Sequence, residues 1–306
     1  MRLWEDLPDG DLIREIGELL KKRDELEAQR QALVAQPGHP TILPDVMREI
    51  KATRQAIIDH ENLLALVAKI HPEAVARLRQ SRTFRKHFFG GEEKDAFIMS
   101  VDIRRSTELM LKATSAEAFA KFISILCEDL VSNVVRRFGV VDKFTGDGLL
   151  SFFPKFYTGE DAGQHALLAA QACHESFKQH YLEYRHLFRA VLAEVGLGIG
   201  LDYGPVHLVE LGGALTAIGN PVVYACRLAS APAGKTYLNQ GAFDEVMSND
   251  RDENAWLIEE VEIDIKHEGK LVAYEVTDGQ ATRIRDPQEG WPESDKAELE
   301  DEDAPF

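Results

Sequence analysis

Residues 95–107 read DAFIMSVDIRRST and residues 140–150 read VVDKFTGDGLL, and the fold is decided by how these two stretches are read together. In the first, Phe97, Ile98, Met99, Val101 and Ile103 make an apolar run of strand length, with Asp102 inside it and a turn into a helix behind it. In the second, Val140, Val141 and Phe144 lead to Gly146-Asp147-Gly148, after which Leu149, Leu150, Phe152 and Phe153 resume, the pattern of a β-hairpin with Asp147 at its tip. A carboxylate in a buried strand is costly unless something compensates it. Taken singly, each aspartate also reads as a helix cap or a turn residue. Brought together, two hard oxygen ligands suit magnesium or manganese.

Working outward, a helix is predicted over Ala116 to Phe138, the hairpin over Val140 to Phe153, a helix over Ala162 to Tyr184 and a strand over Glu194 to Asp202. With the strand through Asp102 this gives the order βαββαβ, the split α+β plan called ferredoxin-like, extended by a further helix and strands. On such a sheet the first strand and the hairpin lie side by side, so Asp102 and Asp147 can share one site.

The first 90 residues have a different texture. Leu12, Ile16, Leu19, Leu20, Leu26 and Leu33 form an intermittent helical stripe among Glu, Lys and Arg. Pro37-Gly38-His39-Pro40 breaks the chain, and Met47, Ile50, Ile57, Ile58, Leu63, Leu64, Leu66 and Val67 form a second stripe. The segment 1–90 therefore reads as a helical hairpin for packing, dimerisation or regulation. Arg77, Arg79, Arg82, Arg85 and Lys86, interleaved with Phe84, Phe88 and Phe89, read as a linker that packs on the domain behind it. Residues 91–278 form the α+β domain. Residues 279–306 form an acidic tail, rich in Asp and Glu and poor in apolar residues, which is expected to be disordered.

The chain has 306 residues and a formal net charge of -17, which argues against a nucleic-acid-binding face. Cys127, Cys173 and Cys226 lie far apart with no CxxC or Cys/His cluster, and read as reduced, buried thiols. No apolar stretch reaches the ~20 residues of a membrane span, and the start MRLWEDLPDGDL lacks the basic and apolar regions of a signal peptide. A cytoplasmic location is expected.

The segment from about Asp95 to Val276 resembles the catalytic domain of the class III nucleotidyl cyclases, which convert a nucleoside triphosphate to a 3',5'-cyclic nucleotide and pyrophosphate. The family's F-x-D-I strand is matched by Met99-Ser100-Val101-Asp102-Ile103, and its K-x-x-G-D hairpin by Lys143-Phe144-Thr145-Gly146-Asp147. Its glycine-rich strand is matched by Gly198-Ile199-Gly200-Leu201-Asp202-Tyr203-Gly204-Pro205, and the helix after its second specificity position by Thr216-Ala217-Ile218-Gly219-Asn220, running on to Ala225-Cys226-Arg227-Leu228. The resemblance implies that Asp102, Asp147 and the Ile103 carbonyl hold two divalent ions, Mn or Mg. It also implies that Arg227 meets the transition-state charge and that Lys143 and Thr216 read the base. Lys143, Thr216 and Arg227 would then reach the ions across a subunit boundary, in a homodimer with two equivalent sites.

The chain departs from the family at two points. Val223 stands where most members have a ribose-orienting asparagine, with Tyr224 next to it as a source of a hydroxyl or a narrower pocket. Glu268 stands where a phosphate-binding lysine is expected, leaving Lys266 or Lys270 as substitutes. A lysine with a threonine can bind adenine or a pyrimidine, whereas guanylate cyclases usually carry Glu at the first position. With the asparagine replaced, the chain is similar to the bacterial pyrimidine cyclases of Pycsar anti-phage defence, which make cyclic UMP or cyclic CMP for a separate cyclic-nucleotide-binding effector. That reading stands first and adenylate cyclase second. A catalytically silent nucleotide-binding module comes behind both, because it has no need to keep both buried acids, and a polymerase-type palm stands last.

Overall fold

The structure, a computed structural model, describes residues 9–35, 43–211, 214–252, 255–265 and 269–292. The chain divides into two compact units, residues 1–68 with 211–215, and residues 69–210 with 216–306.

In the first unit, α1 (Asp9–Ala35) and α2 (Leu43–Val67) form the expected helical pair. Leu26 meets Val46 and Ile50, with Leu33 packed beside them. Charges on the same two helices pair across the seam, Lys22 with Glu49 at 2.9 Å and Arg54 with Glu27. The Pro37-Gly38-His39-Pro40 break lies outside the described residues.

The second unit opens with two short helices, α3 (Pro72–Gln80) and α4 (Arg82–Phe89). Although read from the sequence as part of the N-terminal hairpin segment, they belong to this unit. The Ser81 side chain caps α4 by accepting from the Phe84 amide at 3.1 Å. Phe84 and Phe88 are fully buried; Phe84 lies against Trp291 (centroids 5.3 Å apart) and Phe88 against Tyr157 (5.6 Å). The basic and aromatic run thus packs on the domain behind it.

The strands are β1 (Glu93–Arg104), β2 (Val140–Thr145), β3 (Gly148–Pro154), β4 (Gly196–Leu211), β5 (Ala214–Ile218), β6 (Lys235–Leu238), β7 (Trp256–Ile265) and β8 (Gly269–Gly279). They form one sheet in the order β2-β3-β1-β4-β6-β8-β7, with β5 paired to β4. The remaining helices are α5 (Ser106–Lys112), α6 (Ala116–Arg136), α7 (Lys155–Thr158), α8 (Ala162–Glu183), α9 (Asn220–Leu228) and α10 (Gln240–Ser248). The first four strands with α6 and α8 make the expected ferredoxin-like βαββαβ arrangement.

Strand periodicity explains the layering, because successive side chains point to opposite faces. Phe97, Met99, Val101 and Ile103 of β1 join Leu197, Ile199 and Leu201 of β4 in the main core. Phe122, Leu126, Leu130 and Val134 of α6 cover it at four-residue spacing, and Ala162, Ala166, Ala169, Cys173 and Phe177 of α8 complete it. The other face of β1 carries Ser100, Asp102 and Arg104.

Three expectations need correction. The strand expected to end at Asp202 runs on to Leu211, because β1 pairs with it as far as His207 and β5 pairs with it as well. Cys173 is buried, but Cys127 is half-buried and Cys226 is exposed on α9, since a nine-residue helix lying on a sheet leaves one side to solvent. The tail expected from residue 279 begins with a packed stretch. Asp161, buried at the start of α8, accepts from the Arg285 amide at 2.7 Å and from its guanidinium. The Trp291 indole donates to the Tyr157 carbonyl at 2.8 Å and is itself buried. An indole that buries its ring and satisfies its N–H outweighs the acidic composition around it. Residues 293–306 lie outside the described residues.

Candidate active site

Register places the two aspartates together. β1 and β3 are antiparallel, pairing Phe97 with Phe153 and, four pairs on, Val101 with Leu149. Asp102 follows Val101, and Asp147 lies two residues before Leu149 in the hairpin turn, so both stand at the same end of two adjacent strands. Gly148 makes this closeness possible: a Cβ there would lie 2.2 Å from the Val101 carbonyl oxygen, so β1 comes in where a side chain would be. Gly146 supplies the left-handed turn conformation with φ of 77°.

The two carboxylates are compensated differently. Asp102 Oδ2 accepts from Arg104 Nη1 at 2.7 Å. Asp147 Oδ2 is buried and has no hydrogen-bond partner among the described residues. Burial, and then the charge of Asp147, pushes the Cys127 thiol up from its ordinary value. A buried carboxylate oxygen without a partner is unfavourable in the protein alone, and next to a second acid it fits a hard cation. Among the described residues no group of three or more His, Cys, Asp or Glu side chains gathers to hold a metal. The acidic oxygens gathered at this end of the strands are those of Asp102 and Asp147, both hard donors of the kind that suit magnesium or manganese.

A second cluster joins β2 to β5. Lys143 Nζ donates to Thr216 Oγ1 at 2.8 Å, so the two residues expected to read a base are adjacent within one chain. Asp142, which sequence reasoning passed over, holds them: its Oδ2 accepts from Thr216 Oγ1 at 2.7 Å and from the Ala217 amide at 3.2 Å, and its Oδ1 lies 3.7 Å from Lys143 Nζ. Lys69 adds a donor to the Asp142 carbonyl at 2.9 Å. Burial lowers the Lys69 ammonium from its ordinary value, opposed by Asp142 and reinforced by Lys143. Asp142 sits where β2 slips register against β3, between Val141 and Lys143. Such a bulge re-aims side chains and turns Asp142 inward while Lys143 faces out. A bulge of this kind carries no residue signature that would have revealed Asp142 beforehand.

The third part is α9. A Cβ at Gly200 would lie 2.2 Å from the Ala225 carbonyl oxygen and 2.5 Å from the Ala229 amide nitrogen; one at Gly198 would lie 2.5 Å from the carbonyl oxygens of Ala229 and Ala231. The glycine-rich strand thus lets the helix backbone lie directly on the sheet, on the face that carries Asp102. Arg227 stands in the last turn of α9, half-buried, with its guanidinium carbon 5.5 Å from the Tyr224 ring centroid. The Tyr224 ring therefore braces Arg227 by a cation–π contact. Val223 is exposed.

Lys270 lies at the exposed β7–β8 hairpin and pairs with Glu262, with β4 and β6 between its strand and β1. Lys266 and Glu268 lie outside the described residues. Arg104, Asp142 and Lys69 belong to these clusters by their hydrogen bonds and were not foreseen from the sequence. Among the described residues, no helix is long and apolar enough to cross a membrane.

No protein-family model matches the chain. Over 169 residues it is 28% identical to the uncharacterized protein Rv1318c of Mycobacterium tuberculosis, a match covering 53% of this chain and 29% of that protein; the chain thus spans under a third of that relative's length. Among solved structures it is similar to the adenylyl cyclase CyaB from P. aeruginosa, with a TM-score of 0.54 and 21% identity over 63% of this chain and 98% of that one. It is also similar to the guanylyl cyclase Cya2, with a TM-score of 0.53 and 17% identity over 63% of this chain and 99% of that one. The α+β unit has the fold of these cyclase domains.

Proposed function

We propose that this protein is a nucleotidyl cyclase that converts a nucleoside triphosphate to a 3',5'-cyclic nucleotide and pyrophosphate. The observation that carries the reading is the pair Asp102 and Asp147 at adjacent strand ends of a cyclase-type fold, one with a buried oxygen lacking a partner among the described residues. Asp102, Asp147 and the Ile103 carbonyl would hold two divalent ions, Mn or Mg, which when bound acidify the ribose 3'-hydroxyl and neutralise the triphosphate.

The chain's own groups do the rest. Arg227, braced by Tyr224, directs fixed N–H donors at the negative charge that grows on the phosphoryl oxygens and on departing pyrophosphate. Lys143 and Thr216 offer an ammonium donor and a hydroxyl to the base edge. Tyr224 stands beside the position where Val223 replaces the ribose-orienting amide, and Lys266 or Lys270 supplies the further phosphate contact. Phe144, Ile218 and Val223, each large, apolar and about half exposed, flank Lys143, Thr216 and Arg227 in sequence. A homodimer in which Lys143, Thr216 and Arg227 of one copy complete the site of the other would cover these exposed side chains.

A pyrimidine substrate, UTP or CTP, is the first reading, with the product a second messenger in Pycsar anti-phage defence read by a separate effector. Adenylate cyclase is the alternative, because the Lys143–Thr216 pair also fits adenine. The test is incubation of purified protein with ATP, GTP, CTP and UTP singly, with Mn or Mg, and identification of products by mass. Cyclic UMP or CMP supports the first reading and cyclic AMP the second; no cyclic product with any of them under either metal overturns the cyclase reading.

A further inference from the structure

From the placement of Arg104 we infer that its guanidinium is an exchangeable cation: it occupies Asp102 when no metal is bound, and binds the triphosphate of the substrate when metal displaces it. The inference rests on the proposed metal role of Asp102 and Asp147 and adds a substrate-binding residue that the family motif did not mark.

Arg104 and Asp102 are two residues apart on β1 and so share a face of the sheet. Across the ladder they stand opposite Gly196 and Gly198, so the neighbouring strand presents no side chains there. The Arg104 stem fills that space, because a Cβ at Gly198 would lie 2.9 Å from Arg104 Cδ as well as 2.5 Å from the Ala229 and Ala231 carbonyl oxygens. The side chain thus runs past the residues that close α9, the helix of Arg227, before its Nη1 reaches Asp102 Oδ2 at 2.7 Å. Both partners are partly open to solvent, with side chains 34% and 40% exposed, so the contact can be broken and remade without opening the core.

The pairing is lopsided. Asp102 has a cation from its own strand, whereas Asp147 Oδ2 has no partner among the described residues. A divalent cation held by the two acids would compete with Arg104 for the negative charge of Asp102. Arginine cannot lose its proton, so a cation arriving at Asp102 repels the guanidinium and favours its turning aside. Its attachment two residues from Asp102 keeps it beside the ions, where several N–H donors in a planar fork suit phosphoryl oxygens.

The two roles predict effects of opposite sign, which a merely structural residue would not produce. In full-length protein, Arg104→Gln is expected to bind Mn2+ alone about two- to fivefold tighter by titration calorimetry, the range that loss of one exposed ion pair supports. At saturating Mn2+ it is expected to bind inorganic tripolyphosphate at least about tenfold more weakly, as for a lost charged hydrogen bond. Arg104→Lys keeps the charge and should lie between wild type and Arg104→Gln in both measurements; it also serves if Arg104→Gln does not fold. Failure of either shift in the folded variant overturns the inference. Asp102→Ala separates the two layers of argument: if it binds Mn2+ as wild type does, the metal reading itself fails. If it loses Mn2+ while the Arg104 variants behave as wild type, the metal reading stands and the role of Arg104 falls.

Discussion

Thr216 Oγ1 donates to Asp142 Oδ2 at 2.7 Å and accepts from Lys143 Nζ at 2.8 Å. The threonine proton is therefore committed to the protein, and only oxygen lone pairs remain for a ligand. On the proposed function, a base would meet an ammonium donor beside a hydroxyl acceptor, fixed from beneath by Asp142, which is 2% exposed. Asp142→Ala should leave Thr216 and the Ala217 amide without their acceptor and cost about 1–3 kcal/mol, seen as a lower urea midpoint. Thr216→Val should change relative turnover among the four triphosphates while leaving Mn2+ affinity as in wild type. Unchanged base preference would remove Thr216 from recognition.

Asp147 should trade stability against metal binding. Its buried Oδ2 lacks a partner among the described residues, so Asp147→Asn, which removes the charge at nearly constant shape, is expected to leave melting temperature in EDTA unchanged or slightly higher. The same variant should lose the rise in melting temperature that Mn2+ gives wild type. A large destabilisation in EDTA would mean that Asp147 is structural.

Arg227→Ala should lower kcat about 10²–10³-fold with a much smaller change in KM, as expected when a donor acts on charge that develops in the transition state. Tyr224→Leu removes only the ring that braces the guanidinium, and should cost less than about tenfold in kcat. Single-substrate kinetics on both variants checks this, and equal losses in the two would move the main role to Tyr224.

His165 supplies a pH dependence unrelated to chemistry. Burial first, and then the charge of Arg137, lowers its imidazole to about 4. An unfolded histidine takes up its proton near 6.5, so between about pH 6.5 and 4 the unfolded chain binds more protons. Stability present above pH 6.5 is lost as pH falls through that window. His165→Leu should flatten part of the fall in urea-unfolding free energy between pH 7 and 4. Burial likewise brings His174 down to about 4, so that variant should not abolish the slope.

The alternation in residues 97–103 and the Gly-Asp-Gly turn made the first strand and hairpin legible, because both are local patterns. The spacing of α6 and α8 was legible for the same reason. Lys143 and Thr216, named as a pair, do touch. What escaped were contacts made by folding rather than by neighbourhood in sequence. Asp142 turns inward only because β2 carries a bulge, and Lys69 reaches it from 73 residues away. Arg104 is two positions from Asp102, yet its pairing depends on bare glycines in a strand met much later in the chain. The acidic composition around Trp291 hid an indole that seats itself against Tyr157.

The backbone contact between α9 and the glycines of β4 separates two kinds of change. Because Gly200 meets the helix main chain itself, the seat of Arg227 relative to the sheet does not depend on the side chains along the outer side of α9. Residue 223, which is exposed, is free to vary there without moving the helix backbone that carries the arginine, whereas Tyr224 holds the guanidinium itself. On the proposed function, a change at residue 223 could therefore alter selectivity while the backbone seat of Arg227 stays put.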